Sequence, residues 1–321
     1  MALSKIATPE VVSRRDLMFG LAAAAASQVA LGDRMALANE SKSNEAKAGR
    51  LKQSVAHWCF GSSQWKWTLN QTCEAAVELG CSSVELLQPA MLETIRPYGL
   101  QCAMVSFSAK KGPGFVYGWN NPENWPMLEA ATREAIDAAA AFGAPNVIAF
   151  TGMKARQPGE PEKGEWSMEE GAANCVEGMK RVIGYAEQKG VNICLEMLNS
   201  RDGSGRMTGH PGYQGDHVDY CTGILGKIGS PRAKLLFDIY HVQIMEGDLI
   251  RRLKEYLPFI AHIHTAGVPG RGELGAKQEI NYPAVMSALA DLGYQGHVGH
   301  EFIPTREPMD GLREAVQMCK V

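Results

Sequence analysis

From residue 52 onward the chain repeats one pattern. A short, nearly continuous apolar run is followed by a polar loop. A longer segment then carries apolar residues three and four apart and closes on a polar or glycine stop. Apolar runs without alternation suit strands buried on both faces, as in a parallel sheet covered by helices. They predict strands at residues 55–60, 83–87, 102–107, 146–150, 192–196, 234–238, 260–264 and 297–301. The helical periodicity predicts helices at 69–79, 91–98, 127–142, 168–189, 218–228, 249–256, 283–292 and 310–318. Gly80, Gly143 and Gly190 stand where helix stops are expected. Eight such cycles predict an α/β fold, a (β/α)8 TIM barrel over residues 51–321. A doubly wound open sheet is the alternative, but it usually has fewer strands, and no G-x-G-x-x-G follows the first run. Two connections, 108–126 and 199–215, are long enough to be functional or mobile.

Residues 1–38 have a different character. Ser13-Arg14-Arg15-Asp16-Leu17-Met18 opens an alanine-rich, weakly apolar stretch, and Ala36-Leu37-Ala38 has the A-x-A cleavage pattern. This order predicts a twin-arginine export signal and a periplasmic or otherwise extracytoplasmic protein. The apolar stretch falls short of the roughly 20 residues a spanning helix needs, so no membrane association is expected after cleavage. A disordered basic tail or an uncleaved anchor is the alternative. Residues 39–50 read as a polar linker. Composition narrows the field further. A net charge of -3 offers no basic footprint for nucleic acid. Eight cysteines without a C-x-x-C pair argue against a zinc ribbon or a thioredoxin motif.

The chemistry gathers at the ends of the later runs. Leu235-Leu236-Phe237 stops on Asp238, and a carboxylate at the end of a buried strand is costly without a partner. Glu196, His264 and Glu301 end the runs at 192–196, 260–264 and 297–301. In a barrel these are the C-terminal strand ends, where catalysis sits. Two glutamates, an aspartate and a histidine suit one divalent metal ion, with Mn, Mg, Co and Zn all compatible. Each residue has a structural alternative. Glu196 can pair with an arginine, Asp238 can cap the next helical turn, His264 can be a core histidine, and Glu301 can pair with Arg306 or Arg271. His262 points the same way as His264, one layer lower, and is a candidate partner to a ligand. His241 is either a substrate contact or a helix-entry residue. Arg271 offers a planar fork for a carboxylate or phosphate, or else is solvated. Trp58, Phe60, Trp119 and Trp125 either wall a pocket or belong to the core, and Glu85 faces a similar choice.

Several stretches resemble the hydroxypyruvate isomerase family, a branch of the xylose-isomerase-like barrels. They are Phe237-Asp238-Ile239-Tyr240-His241-Val242-Gln243-Ile244-Met245-Glu246-Gly247-Asp248, Ala261-His262-Ile263-His264 with Val268-Pro269-Gly270-Arg271, Gly293-Tyr294-Gln295-Gly296, and Gly299-His300-Glu301-Phe302. The resemblance implies metal ligands at Glu196, Asp238, His264 and Glu301, substrate contacts at His241 and Arg271, and paired acid/base roles for Glu196 and Glu301. It implies aldose–ketose isomerisation of a small hydroxy-keto acid or sugar, such as hydroxypyruvate to tartronate semialdehyde, through an enediolate, with a homo-oligomer left open. Histidine at 264, where that family often carries glutamine, is closer to the sugar epimerases of the wider group, and the 199–215 loop is longer than usual. A ketose 3-epimerase and a non-catalytic exported sugar-binding barrel are the alternatives. A metal-dependent nuclease on the same barrel is disfavoured by only eight histidines and the acidic balance.

Overall fold

The structure is a computed structural model that describes residues 49–108, 111–205 and 207–321. The predicted export signal, 1–38, and most of the predicted linker lie outside the described residues. Seven parallel strands are named in chain order: β1 (Lys52–Ala56), β2 (Ser83–Glu85), β3 (Asn146–Phe150), β4 (Asn192–Glu196), β5 (Ala233–Asp238), β6 (Ile260–Thr265) and β7 (His297–His300). They pair in the order β2-β1-β7-β6-β5-β4-β3. All pairs are parallel, and helices connect most of them. Such strands bury both faces, which is why they read as unbroken apolar runs.

The predicted strand at 102–107 is where the barrel closes, and it is not a regular strand. Gln101 and Val105 form single bridges to Ser83 in β2, to Leu87 just beyond it and to Val147 in β3 instead of a ladder. Leu86 N–H donates to Met104 O at 2.7 Å, and Val105 N–H donates to Asn146 O at 2.9 Å. Between these bonds, side chains replace backbone partners. Ala103 N–H donates to Ser83 Oγ at 2.8 Å, and Asn146 Nδ2 donates to Ala103 O at 2.9 Å. The buried groups of Ala103 are therefore satisfied, but without a ladder. A Ser83→Ala substitution leaves the buried Ala103 N–H without its acceptor, and urea unfolding should register a loss of about 1–3 kcal/mol. Unchanged stability would show that Ser83 does not hold the closing segment.

Most other departures are shifts of one or two residues at element ends, but three are larger. The run at 55–60 is a strand only to Ala56, and His57–Gly61 coils into a helix. The register explains why: Ala56 pairs with Glu85, the last residue of β2, and Val55 with His300, the last of β7. No strand lies alongside further residues, so the backbone makes its own bonds, as in Ser62 N–H to Trp58 O at 2.9 Å. The 91–98 helix divides into a 3-10 turn, one α-turn at Leu92–Ile95, and a second 3-10 turn. A short helix at Ile239–Met245, given no bounds from the periodicity, starts immediately after β5 with Asp238 as its cap, the alternative its position allowed. By contrast, Met168–Lys189 has the predicted bounds. Ser167 and Glu170 form a reciprocal capping box, and Gly190 takes the left-handed conformation at its end.

The loop after the closing segment is tied to β3. Trp119 N–H donates to Phe150 O at 3.1 Å and Asn120 N–H to Thr151 O at 2.8 Å. Gly118 permits this approach, because a Cβ there would run into the backbone of Thr151. Among the described residues no helix is long and apolar enough to cross a membrane. All eight cysteines are buried and unpaired.

Candidate functional site

Glu196, Asp238 and His264 leave the ends of β4, β5 and β6, and Glu301 follows β7 directly. One ligand atom from each lies within 4.8 Å of the others. The strand-end rule thus brings together all four predicted ligands. His264 is central to the cluster. Its Nδ1 lies 3.2 Å from Glu196 Oε1 and 3.0 Å from Glu301 Oε2. Its Nε2 lies 2.9 Å from Glu85 Oε1. His262 Nε2 reaches that same oxygen at 2.9 Å. His262 is therefore one step further from the ligands than expected, because Glu85 stands between it and His264.

Asp238 uses its two oxygens differently. Its Oδ1 accepts from Tyr240 N–H at 2.8 Å and His241 N–H at 3.3 Å, capping the helix. Its Oδ2 faces the cluster, 3.6 Å from His241 Nε2 and 3.7 Å from an Arg271 nitrogen. His241 is likewise fixed. Its Nδ1 is 3.0 Å from the Asn199 backbone N–H and 2.7 Å from Asn199 Nδ2. The Asn199 amide is oriented by Nδ2 donating to Thr208 O and Oδ1 accepting from Asp202 N–H. Two donors on Nδ1 make it an acceptor, so the ring proton is on Nε2. That buried N–H has no hydrogen-bond partner among the described residues. Burial, and then Arg271, hold the His241 ring neutral, its pKa well below the usual value.

Arg271 is not a solvated loop arginine. It is 2% exposed. It sits at φ 58° and donates to Glu301 Oε2 at 2.6 Å and Met207 O at 2.8 Å. Its fork is turned toward the acid cluster. Glu301 pairs with Arg271, and Arg306 pairs instead with Glu314. Trp58 donates from Nε1 to Glu301 Oε1 at 2.7 Å and lines the cavity above the cluster. Phe60 stacks on Trp67 and packs against Phe302 in the core, and Trp119 is fully buried in the core. Trp125 donates to Trp119 O at 2.9 Å. Neither Trp119 nor Trp125 lines the cavity.

The cluster's charges are strongly divided. Burial and then Glu301 push Glu196 up to about 7, and burial pushes Asp238 up to about 6. Burial also acts against ionised Glu301, but His264 and Arg271 outweigh it and hold that carboxyl well below the usual range. Glu85 is held low in the same way by His262 and His264. His264, despite burial, is pushed well above the usual value by Glu301, Glu196 and Glu85. Three buried carboxylates and a histidine, each offering one ligand atom within 4.8 Å of the others, form a donor set that fits a divalent cation. His264 Nδ1 and one oxygen each of Glu196, Asp238 and Glu301 would hold it.

A cavity of about 430 Å³ opens over the cluster, with Glu196, Glu301 and Arg271 among its lining residues. This is within the size range of small-molecule sites. Phe107, Phe115, Phe150 and His210 form an aromatic wall, with Phe115 and His210 ring centroids 4.4 Å apart. Phe115 and His210 come from the two long loops that sequence length alone marked as functional. Their individual roles had no local signal, since neither lies at a strand end.

Fold and site together define an eightfold α/β barrel with a candidate divalent-metal centre at the C-terminal ends of its strands. Residues 73–320 match the xylose isomerase-like TIM barrel family model, and the chain belongs to that family. It is similar to the putative hydroxypyruvate isomerase of Homo sapiens, 33% identical over 191 residues, covering 58% of this chain and 65% of the relative. It is also similar to the 2-oxo-tetronate isomerase of Cupriavidus necator, 35% identical over 140 residues, covering 44% of this chain and 51% of the relative. The matches thus span about half to two thirds of these relatives' length. Among solved structures, an AP endonuclease, family 2, from Brucella melitensis superposes with a TM-score of 0.67 at 20% identity, covering 82% of this chain and 96% of that one. At that identity the likeness shows the fold alone.

Proposed function

We propose that this protein is a metal-dependent isomerase that interconverts small α-hydroxy carbonyl compounds, hydroxy-keto acids or sugars, through an enediolate. The observation that carries the reading is the placement of two buried carboxylates, Glu196 and Glu301, on one histidine nitrogen at the floor of the cavity. A divalent ion held by Glu196, Asp238, His264 and Glu301 would supply Lewis-acid stabilisation of negative charge developing on substrate oxygens. The protein's own groups do the rest. One of Glu196 and Glu301 takes a proton from carbon, and a carboxylate returns one to the neighbouring carbon. Return to the opposite face of the same carbon would be epimerisation, and the pair of carboxylates on one centre keeps that reading open. His241 Nε2–H is a fixed, unspent donor beside Asp238, but it is fully buried and does not line the cavity. Arg271 keeps Glu301 ionised and oriented. The relatives named for hydroxypyruvate and 2-oxo-tetronate isomerisation support the substrate class.

The test is proton exchange followed by NMR in D₂O, with hydroxypyruvate and a panel of ketoses, on protein whose metal content has been measured. Deuterium should enter next to the carbonyl. Chelation should reduce the rate by at least about a hundredfold, and added Mn²⁺ should restore it. A metal-loaded protein that exchanges nothing would remove the isomerase reading and leave a binding barrel.

A further inference from the structure

Glu85 is a buried charge in the barrel that the proposed reaction does not use. It ends β2, is fully buried, and its Oε1 receives two imidazole nitrogens, His264 Nε2 and His262 Nε2, each at 2.9 Å. A carboxylate oxygen only accepts, so both nitrogens carry hydrogen. His264 is thereby held with Nε2–H toward Glu85 and Nδ1 toward Glu196 and Glu301. The second observation comes from the neighbouring strand β7, where Gly299 pairs with His264. Gly299 on β7 faces this carboxylate, and a Cβ there would run into Glu85 Oε1 and crowd His264 Cδ2 at 2.9 Å. The barrel interior keeps a side-chain-sized space at Gly299 for the Glu85–His264 contact.

We propose that Glu85 is a positioning residue for the metal centre: through its bond to Nε2–H it fixes the ring orientation and tautomer of His264 that present Nδ1 to the ion, with His262 holding Glu85 in turn. The proposal rests on the metal reading given above. Carboxylates that orient a ligating histidine typically change metal affinity by about 10–100-fold when removed.

The test measures Mn²⁺ affinity by calorimetry for the wild type, Glu85→Gln, Glu85→Leu and Gly299→Ala, with folding checked by circular dichroism. The His264 tautomer is read by ¹⁵N NMR in the Zn²⁺-loaded wild type. Glutamine keeps an acceptor oxygen, so Glu85→Gln should stay within about tenfold of wild type, while Glu85→Leu should lose about 10–100-fold. Gly299→Ala, which retains the carboxylate but displaces it, should also weaken binding. The wild-type spectrum should show hydrogen on Nε2. Wild-type affinity in folded Glu85→Leu, hydrogen on Nδ1, or two bound ions per chain would each overturn the proposal while leaving the isomerase reading in place. If Glu85→Leu does not fold, Gly299→Ala and the wild-type tautomer still decide it. A wild type that binds no divalent ion overturns both readings.

Discussion

Replacing Glu301 by glutamine should lower turnover by about three orders of magnitude, within the range for loss of a positioned acid or base. The barrel should stay folded. Glu301 is 4% exposed and meets three groups: Trp58 Nε1–H at 2.7 Å, Arg271 at 2.6 Å and His264 Nδ1 at 3.0 Å. Glutamine has the same shape and can still accept from Trp58. What it loses is the charge that Arg271 and His264 hold ionised, and with it the capacity to take a proton from carbon. Its amide hydrogens would also face the Arg271 donors, so Arg271 should lean toward Asp238, now 3.7 Å away. Steady-state kinetics alongside metal analysis separates the roles. A loss of turnover with metal retained supports the acid/base assignment, whereas wild-type turnover would exclude it.

The second large effect belongs to Arg271. Its guanidinium is the permanent cation among the acids, since His264 must give up its Nδ1 proton for that atom to serve as a ligand. Arg271→Met keeps much of the volume but leaves Glu301 and Asp238 without their buried partner. Breaking one side of a buried ion pair costs about 3–5 kcal/mol, because the remaining charge is uncompensated. The metal-free protein should therefore unfold at markedly lower urea. The metal-loaded protein should lose much less, because the ion supplies compensating charge and binding to the folded form adds stability. Both residues occupy the same left-handed backbone conformation, φ 58° in the native chain, so backbone strain largely cancels in the comparison. Equal unfolding midpoints for variant and wild type without metal would show that Arg271 does not hold the acids together.

Much of this site is legible one strand at a time. Glu196 and Asp238 stand out because each ends an apolar run, and burial makes an isolated carboxylate there expensive. His264 and Glu301 follow the same rule two and three cycles along the barrel. Arg271 gave no such sign. It lies in a loop, where a cation is ordinarily solvated, and only tertiary contacts turn it inward: its carbonyl accepts from Ile303 N–H at 2.7 Å and its guanidinium meets Glu301. Glu85 was a candidate for the pocket or the core but not visible as the partner of His264, because 179 residues separate them. Trp58 was a candidate for the wall, and its bond to Glu301 spans 243 residues.

What the sequence determined by itself is whatever is repeated and local: the alternation of runs and helices, the capping at Ser167 and Gly190, the barrel class, and the three acids and one histidine at strand ends. These follow from burial of both sheet faces and from hydrogen bonds within a few residues. Tertiary structure decided where the regular pattern gives way. Ser83 and Asn146 replace the ladder at Ala103, the backbone coils after Ala56 where its neighbours end, and two distant loops meet as Phe115 on His210. It also decided which charge answers which. Partners such as Glu85 and His264, or Arg271 and Glu301, are chosen by closure of the barrel, and no local spacing encodes that geometry.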